Sequence, residues 1–127
     1  MNYYFSKTLS SDFSDALVEV SEALKDEGFG ILTEIDVKDT LKKTLDVDFR
    51  KYKIFGACNP PFAYEALQAE DKIGTMLPCN VIVQETENGV EVAAVDPLAS
   101  MQAISNPELE KIASSIRGKL QAVIRKL

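Results

Sequence analysis

The sequence predicts an α+β fold in which a single-layer, mainly antiparallel sheet of about five strands packs against helices. An Asn-Gly pair at 88–89 lies between two runs rich in β-branched residues, a pattern typical of a β-hairpin. Segments with apolar residues at helical spacing alternate with further strand-like runs along the chain. Because the chain has 127 residues, we expect residues 1–127 to form one compact domain.

The first half of the chain predicts two strands, each followed by a helix. Residues 2–9 alternate as a strand does, and Ser10 or Ser11 provides an N-cap for a helix that ends at Gly28. Residues 28–36 predict the second strand. Asp36 is the expected cap of a short amphipathic helix over residues 37–45.

The second half predicts three more strands and two long helices. Residues 52–57 are strand-like, Asn59 and Pro60 begin a helix that Gly74 ends, and residues 77–85 and 90–95 are the strands of the hairpin. Residues 98–104 are expected to form one turn of helix. Asn106 and Pro107 begin the last helix, whose apolar face contains Leu109, Ile112, Ala113, Ile116, Leu120, Val123 and Ile124.

The composition is that of a soluble protein, with 46% hydrophobic and 27% charged residues. No apolar run approaches the roughly 20 residues that span a bilayer, and the N-terminus lacks the pattern of a signal peptide. We therefore expect a cytoplasmic protein that has no membrane partner. In that compartment the two cysteines are expected to be free thiols.

The charge and the missing residue types exclude several classes of function. The net charge of −6 opposes binding to a polyanion, and Lys42-Lys43 and Arg125-Lys126 are isolated pairs, so nucleic acid is not an expected partner. The chain contains no histidine, which excludes the usual histidine-dependent serine and cysteine triads. Gly28-Phe29-Gly30 lacks the third glycine of a phosphate-binding loop.

The two cysteines are the strongest candidates for chemistry. Cys58 directly precedes a predicted helix start, where the positive potential can favour a thiolate, and Cys79 begins a predicted strand. The alternative is that both are small apolar residues of the core. Their spacing is not that of a C-x-x-C redox motif.

Metal ions and paired carboxylates are weaker candidates. A structural zinc site uses about four ligands, and this chain offers two thiols and no imidazole, so we expect neither a metal nor another cofactor. Glu34, Asp36 and Asp96 have the side chains of acid–base catalysts. Each also has an ordinary explanation as a helix cap or a strand-edge residue.

Four sequence blocks together resemble the domain of unknown function family 302. They are Gly28-Phe29-Gly30-Ile31-Leu32-Thr33-Glu34-Ile35-Asp36, Gly56-Ala57-Cys58-Asn59-Pro60, Leu77-Pro78-Cys79-Asn80-Val81 and Val95-Asp96-Pro97. The resemblance implies a TATA-binding-like βαββββα arrangement and self-association as dimers. It implies no reaction, and Val37 stands where another branch of the family has a histidine.

Three functions follow as hypotheses. The first is a homodimeric, non-catalytic module that binds a small molecule or a partner protein, because a sheet covered on one side leaves an apolar face for a second copy. The second is a thiol-dependent redox or sulfur-handling enzyme, and the third is a structural assembly subunit. Where the segments after positions 36, 58 and 96 are expected to converge, the candidate binding residues are Asp36, Cys58, Asn59, Cys79, Asn80 and Asp96.

Overall fold

A computed structural model describes residues 2–127 and contains five strands and five α-helices. The elements in chain order are β1 Tyr4–Leu9, α1 Phe13–Asp26, β2 Gly30–Asp36, α2 Val37–Leu45, β3 Tyr52–Cys58, α3 Pro60–Ala69, a 3-10 helix Asp71–Met76, β4 Cys79–Thr86, β5 Gly89–Val95, α4 Pro97–Ser100 and α5 Pro107–Lys126. Removal of α2, α3, α4 and the 3-10 helix from this order leaves the expected βαββββα arrangement.

The five strands form one antiparallel sheet in the order β1-β5-β4-β3-β2. The predicted hairpin is confirmed, since β4 and β5 are neighbours and Thr86 pairs with Gly89. Gly89 has a φ of 135°, a conformation that glycine adopts far more readily than other residues. The predicted α+β fold with a single sheet layer is therefore confirmed.

Helices α1 and α5 cover one face of the sheet. Alternate residues of β5, Val90, Val92 and Ala94, are buried under them, which is the period-2 pattern of a half-buried strand. From the helices, the fully buried side chains of Leu24 and Leu120 join this core. The core therefore occupies the side of the sheet that faces α1 and α5.

On the other face of the sheet, residues 2–127 place no helix over the strands, and an apolar row crosses four of them. Ile35 pairs with Ile54, Ile54 with Ile82, and Ile82 with Ala93. None of these four residues is buried. We call this set the isoleucine row.

Two of the predicted helix boundaries differ from the structure. The cap of α1 is Asp12, whose carboxylate accepts a hydrogen bond from the Asp15 amide at 2.8 Å, and neither Ser10 nor Ser11 has this role. Helix α3 ends at Ala69, and Gly74 lies inside the following 3-10 helix. In both cases several neighbouring residues could end the helix, and sequence spacing alone does not decide which of them does.

The last helix agrees with its prediction at the start and along its apolar face. The Asn106 side chain accepts hydrogen bonds from the amides of Glu108 and Leu109, and Pro107 occupies the first helical position. Its buried residues include Leu109, Ile116 and Leu120. Within residues 2–127, no helix combines the length and the apolar character needed to cross a membrane.

Candidate functional site

A largely apolar cavity of about 320 Å³ lies at the end of the sheet where β3 stops and β4 begins. The sheet supplies one wall, since Ala57 on β3 pairs with Cys79 on β4. Helix α3, the 3-10 helix and α5 supply the others. The lining residues are Phe29, Leu32, Ala57, Cys58, Asn59, Phe62, Ala63, Ala66, Leu67, Gly74, Leu77, Pro78, Cys79, Pro97, Met101, Leu109, Ile112, Ala113 and Ile116. We call this cavity the end pocket.

Cys58 and Asn59 lie at the mouth of the end pocket, where β3 passes into α3. Cys58 is half-buried and Asn59 is buried. The Asn59 side chain makes no capping hydrogen bond to α3; its Nδ2 instead donates to the carbonyl of Glu27 at 3.4 Å. Asn59 therefore ties the start of α3 to the segment between α1 and β2.

Cys79 is buried in the wall of the end pocket. Burial and, to a smaller extent, the neighbouring Cys58 thiol together raise the pKa of its thiol to about 11. Burial acts in this direction because it disfavours the charged thiolate. Cys79 is thus a protonated, weakly nucleophilic thiol at neutral pH.

The two thiols are free, and both line the end pocket. Cys79 is paired with Ala57, so Cys58 lies one residue further along β3 than the position directly opposite Cys79. Cys58 is the last residue of β3, and its thiol lies near enough to act on the pKa of Cys79. The two cysteines are not directly opposite each other in the register, and both thiols are free.

Asp96 and Asn80 lie at the same end of the sheet but outside the end pocket. The Asp96 carboxylate is buried, caps α4 through the Leu98 amide at 3.0 Å, and pairs with Arg117. Asn80 is exposed and pairs with Gly56, on the face that carries the isoleucine row. Asp96 and Asn80 therefore lie on surfaces other than the end pocket, which the two cysteines line.

Asp36 lies at the opposite end of the sheet, so the expected convergence of all three segments is wrong for this residue. Strands β2 and β3 are antiparallel, with Gly30 opposite Cys58 and Asp36 opposite Lys53. The Asp36 carboxylate caps α2 by accepting a hydrogen bond from the Asp39 amide at 2.9 Å. Its predicted role as a cap is therefore the one that the structure shows.

Each of the carboxylates of Glu34, Asp36 and Asp96 has a structural partner. Glu34 makes a salt bridge with Lys53 at 3.5 Å, Asp36 caps α2, and Asp96 pairs with Arg117. In the described part of the chain, no group of three or more cysteine, aspartate or glutamate side chains is arranged as metal ligands.

Several residues that line the end pocket were not singled out from the sequence. Examples are Ala63 on α3, Met101 directly after α4, and Leu109 and Ile112 on α5. In the sequence Ala63, Leu109 and Ile112 are ordinary apolar helix positions, and the last two belong to the apolar face that predicts α5. No local pattern distinguishes a side chain that lines a cavity from one that fills a core, because the difference depends on what packs opposite.

Comparison with protein families gives a match to the model described as "Domain of unknown function DUF302" over residues 5–127. The chain belongs to the DUF302 family. A solved structure with the DUF302 fold, described as an uncharacterized conserved protein from Bacillus stearothermophilus, superposes with a TM-score of 0.92 and 25% sequence identity. The alignment covers 99% of this DUF302 chain and 98% of the other. No curated protein matches the sequence.

Proposed function

We propose that this DUF302 protein is a non-catalytic module that binds a small apolar molecule in the end pocket. The observation that carries the proposal is the cavity itself, which is of the size that holds small ligands and is lined almost wholly by apolar side chains. Cys58 and Asn59 at its mouth supply the few polar atoms that orient a ligand. Taking about 30 Å³ per water-sized group, the volume suits a ligand of about ten non-hydrogen atoms.

The proposed module is a homodimer, and the face with the isoleucine row is its interface. The row is apolar, crosses β2, β3, β4 and β5, and has no covering helix. Apolar faces of this kind are commonly closed by a second copy, and twofold symmetric dimers are the most frequent assemblies. A cytoplasmic location would keep both thiols reduced in such a dimer.

The alternative function, a thiol-dependent enzyme, requires Cys79 to resolve an intermediate formed at Cys58. The raised pKa of Cys79 argues against that step, because a protonated thiol is a weak nucleophile. The pH dependence of alkylation tests it by mass spectrometry of each cysteine. A Cys58 that reacts no faster than free cysteine at neutral pH counts against the enzyme, and one that reacts much faster favours it.

Ligand binding is tested by thermal unfolding with indole, 1-naphthol and 1-octanol as probes. A probe at about ten times its Kd stabilises the folded protein by about 1.4 kcal/mol, which raises the Tm by a few degrees. The variant Ala63→Leu places a larger side chain on the lining of the end pocket and should abolish the shift. Ala69→Leu, on the same helix but outside the end pocket, is the matched control and should retain it.

Absence of a shift with every probe, or an equal shift in both variants, would count against the end pocket as a binding site. In that case the third hypothesis, a structural assembly subunit, would account better for a dimer that has no ligand.

A further inference from the structure

A second cavity, of about 560 Å³, lies beside the end pocket and is formed by β1, α4 and α5. Met101, Leu109 and Ala113 line both cavities and form a common wall. The second cavity differs in character, because Asn2, Tyr4, Asp96, Gln102, Glu110 and Arg117 bring polar or charged groups to it. We call it the polar cavity.

Arg117 is held in a fixed position in the polar cavity. Its Nε donates to both carboxylate oxygens of Asp96, at 3.2 and 3.1 Å, and its guanidinium carbon lies 5.1 Å from the centre of the Phe5 ring. Asp96 is only 7% exposed and is itself fixed by the amide of Leu98. An arginine bound on one side and stacked on an aromatic ring loses little further freedom when it binds a ligand.

The terminal amino groups of Arg117 remain available. Among residues 2–127, no hydrogen bond or salt bridge uses either of them, and 37% of the side chain is exposed. A guanidinium has five N–H donors, of which Asp96 engages only the one on Nε. The two amino groups together present the pair of parallel donors that matches a carboxylate.

Glu110 sets the charge that a ligand must carry. It lines the polar cavity seven residues before Arg117 on α5, on the same face and about 10 Å away along the helix axis. Its carboxylate is exposed and makes no salt bridge in the described part of the chain. Since the charges of Asp96 and Arg117 offset each other, Glu110 leaves the cavity negative, which disfavours a simple anion.

We propose that the polar cavity binds a zwitterionic small molecule of the amino-acid class. Its carboxylate accepts hydrogen bonds from the terminal amino groups of Arg117, and its ammonium group pairs with Glu110. The spacing along α5 favours a molecule whose charged groups are separated by several methylenes, as in an ω-amino acid. This site is independent of the apolar ligand proposed for the end pocket.

Isothermal titration calorimetry with three matched probes tests the proposal. The zwitterion 5-aminopentanoate should bind about tenfold or more tightly than pentanoate, which lacks the ammonium group, or pentylamine, which lacks the carboxylate. Equal binding of all three, or no heat from 5-aminopentanoate at millimolar concentration, would overturn it.

Variants of Glu110 and Arg117 test the two proposed contacts separately. Glu110→Gln should weaken 5-aminopentanoate about tenfold and strengthen pentanoate, whereas Glu108→Gln, in the same first turn but outside the polar cavity, should change neither. Arg117→Lys keeps the charge opposite Asp96 but removes the paired donors, and should weaken both carboxylate probes. Unchanged affinities in Glu110→Gln or in a folded Arg117→Lys would refute the assigned contacts.

Discussion

Gly56 allows three chain segments to pack closely together at one end of the sheet. It pairs with Thr33 on β2 and Asn80 on β4. A Cβ atom added at this position would lie 2.7 Å from Cγ of Pro78 and would overlap the Thr33 hydroxyl. Gly56 is therefore the residue that lets the Leu77-Pro78 segment close against β3 beside the end pocket.

We expect Gly56→Ala to destabilise the protein by about 1–3 kcal/mol, because the added methyl group forces Thr33 or Pro78 to move. Urea unfolding followed by circular dichroism measures the change. The matched control is Gly118→Ala on α5, where nothing lies within 4 Å of the added Cβ. That substitution should stabilise by about 0.5–1 kcal/mol, since alanine favours a helix interior. Equal effects at both positions would contradict the close packing at Gly56.

The buried thiol of Cys79 predicts a loss of stability at alkaline pH. Its pKa is raised to about 11 in the folded protein, so below the unfolded value both states keep the proton and the full contribution is present. As the pH rises, the unfolded chain loses this proton before the folded protein does. Between pH 8 and 10 the free energy of unfolding should therefore fall by about 1–2 kcal/mol through this group.

The measurement compares urea unfolding of the natural protein with that of Cys79→Ala at each pH. Other groups titrate in both proteins, so the difference between the two isolates the thiol. The natural protein should lose more stability than Cys79→Ala above pH 8. Parallel pH profiles would show that the Cys79 thiol titrates normally when folded.

Two Asn-Pro pairs show what sequence can predict at the level of a residue. Both pairs were predicted to begin helices, and Pro60 and Pro107 do begin α3 and α5. Only Asn106 caps its helix through the side chain, because Asn59 donates instead to Glu27. Helix starts depend on local residues, whereas the partner of Asn59 comes from a segment 32 residues earlier.

At the scale of an element, α5 depends on Asn106 at its start. The Asn106 oxygen accepts from the Glu108 and Leu109 amides, and its Nδ2 donates to the Ala69 carbonyl at 2.9 Å, which joins α5 to the end of α3. Asn106→Ala removes all three contacts and should cost about 1–2 kcal/mol of stability.

Asn106→Asp separates the two roles of this residue. It keeps the capping oxygen but cannot donate to Ala69, so its loss in chemical denaturation should be smaller than that of Asn106→Ala. If both variants are as stable as the natural protein, the cap contributes nothing to the fold. A loss in Asn106→Asp as large as in Asn106→Ala would assign the effect to the link with α3.

The elements were predictable where their signals are local, whereas the positions of the candidate site residues relative to one another were not. The Asn-Gly turn and the helical spacing of α5 predicted β4, β5 and α5. The expected convergence of Asp36 with Cys58 was wrong, because β3 runs antiparallel to β2 and carries Cys58 to the end of the sheet away from Asp36. Strand pairing is decided by contacts distant in sequence, which one sequence does not display.

The sheet has one face covered by α1 and α5 and one open face, and the mixture of hairpin and helix signals in the sequence predicted this asymmetry. The side chains of β4 show the difference between the two faces. Val81 and Val83 are fully buried, while Ile82 between them is not. The apolar side chain of Ile82 on the open face is what the proposed homodimer accounts for.

The dimer predicts that a charge in the isoleucine row separates the two copies. Ile82 pairs with both Ile54 and Ala93 at the middle of the row, so Ile82→Asp would place two carboxylates near each other across a twofold axis. Sedimentation velocity at micromolar concentration should show a dimer for the natural protein and a folded monomer for Ile82→Asp. Val18→Asp is the control, since Val18 on α1 is 57% exposed and distant from the row, and it should remain dimeric. A monomeric natural protein, or a dimer that survives Ile82→Asp, would place the interface elsewhere or remove it.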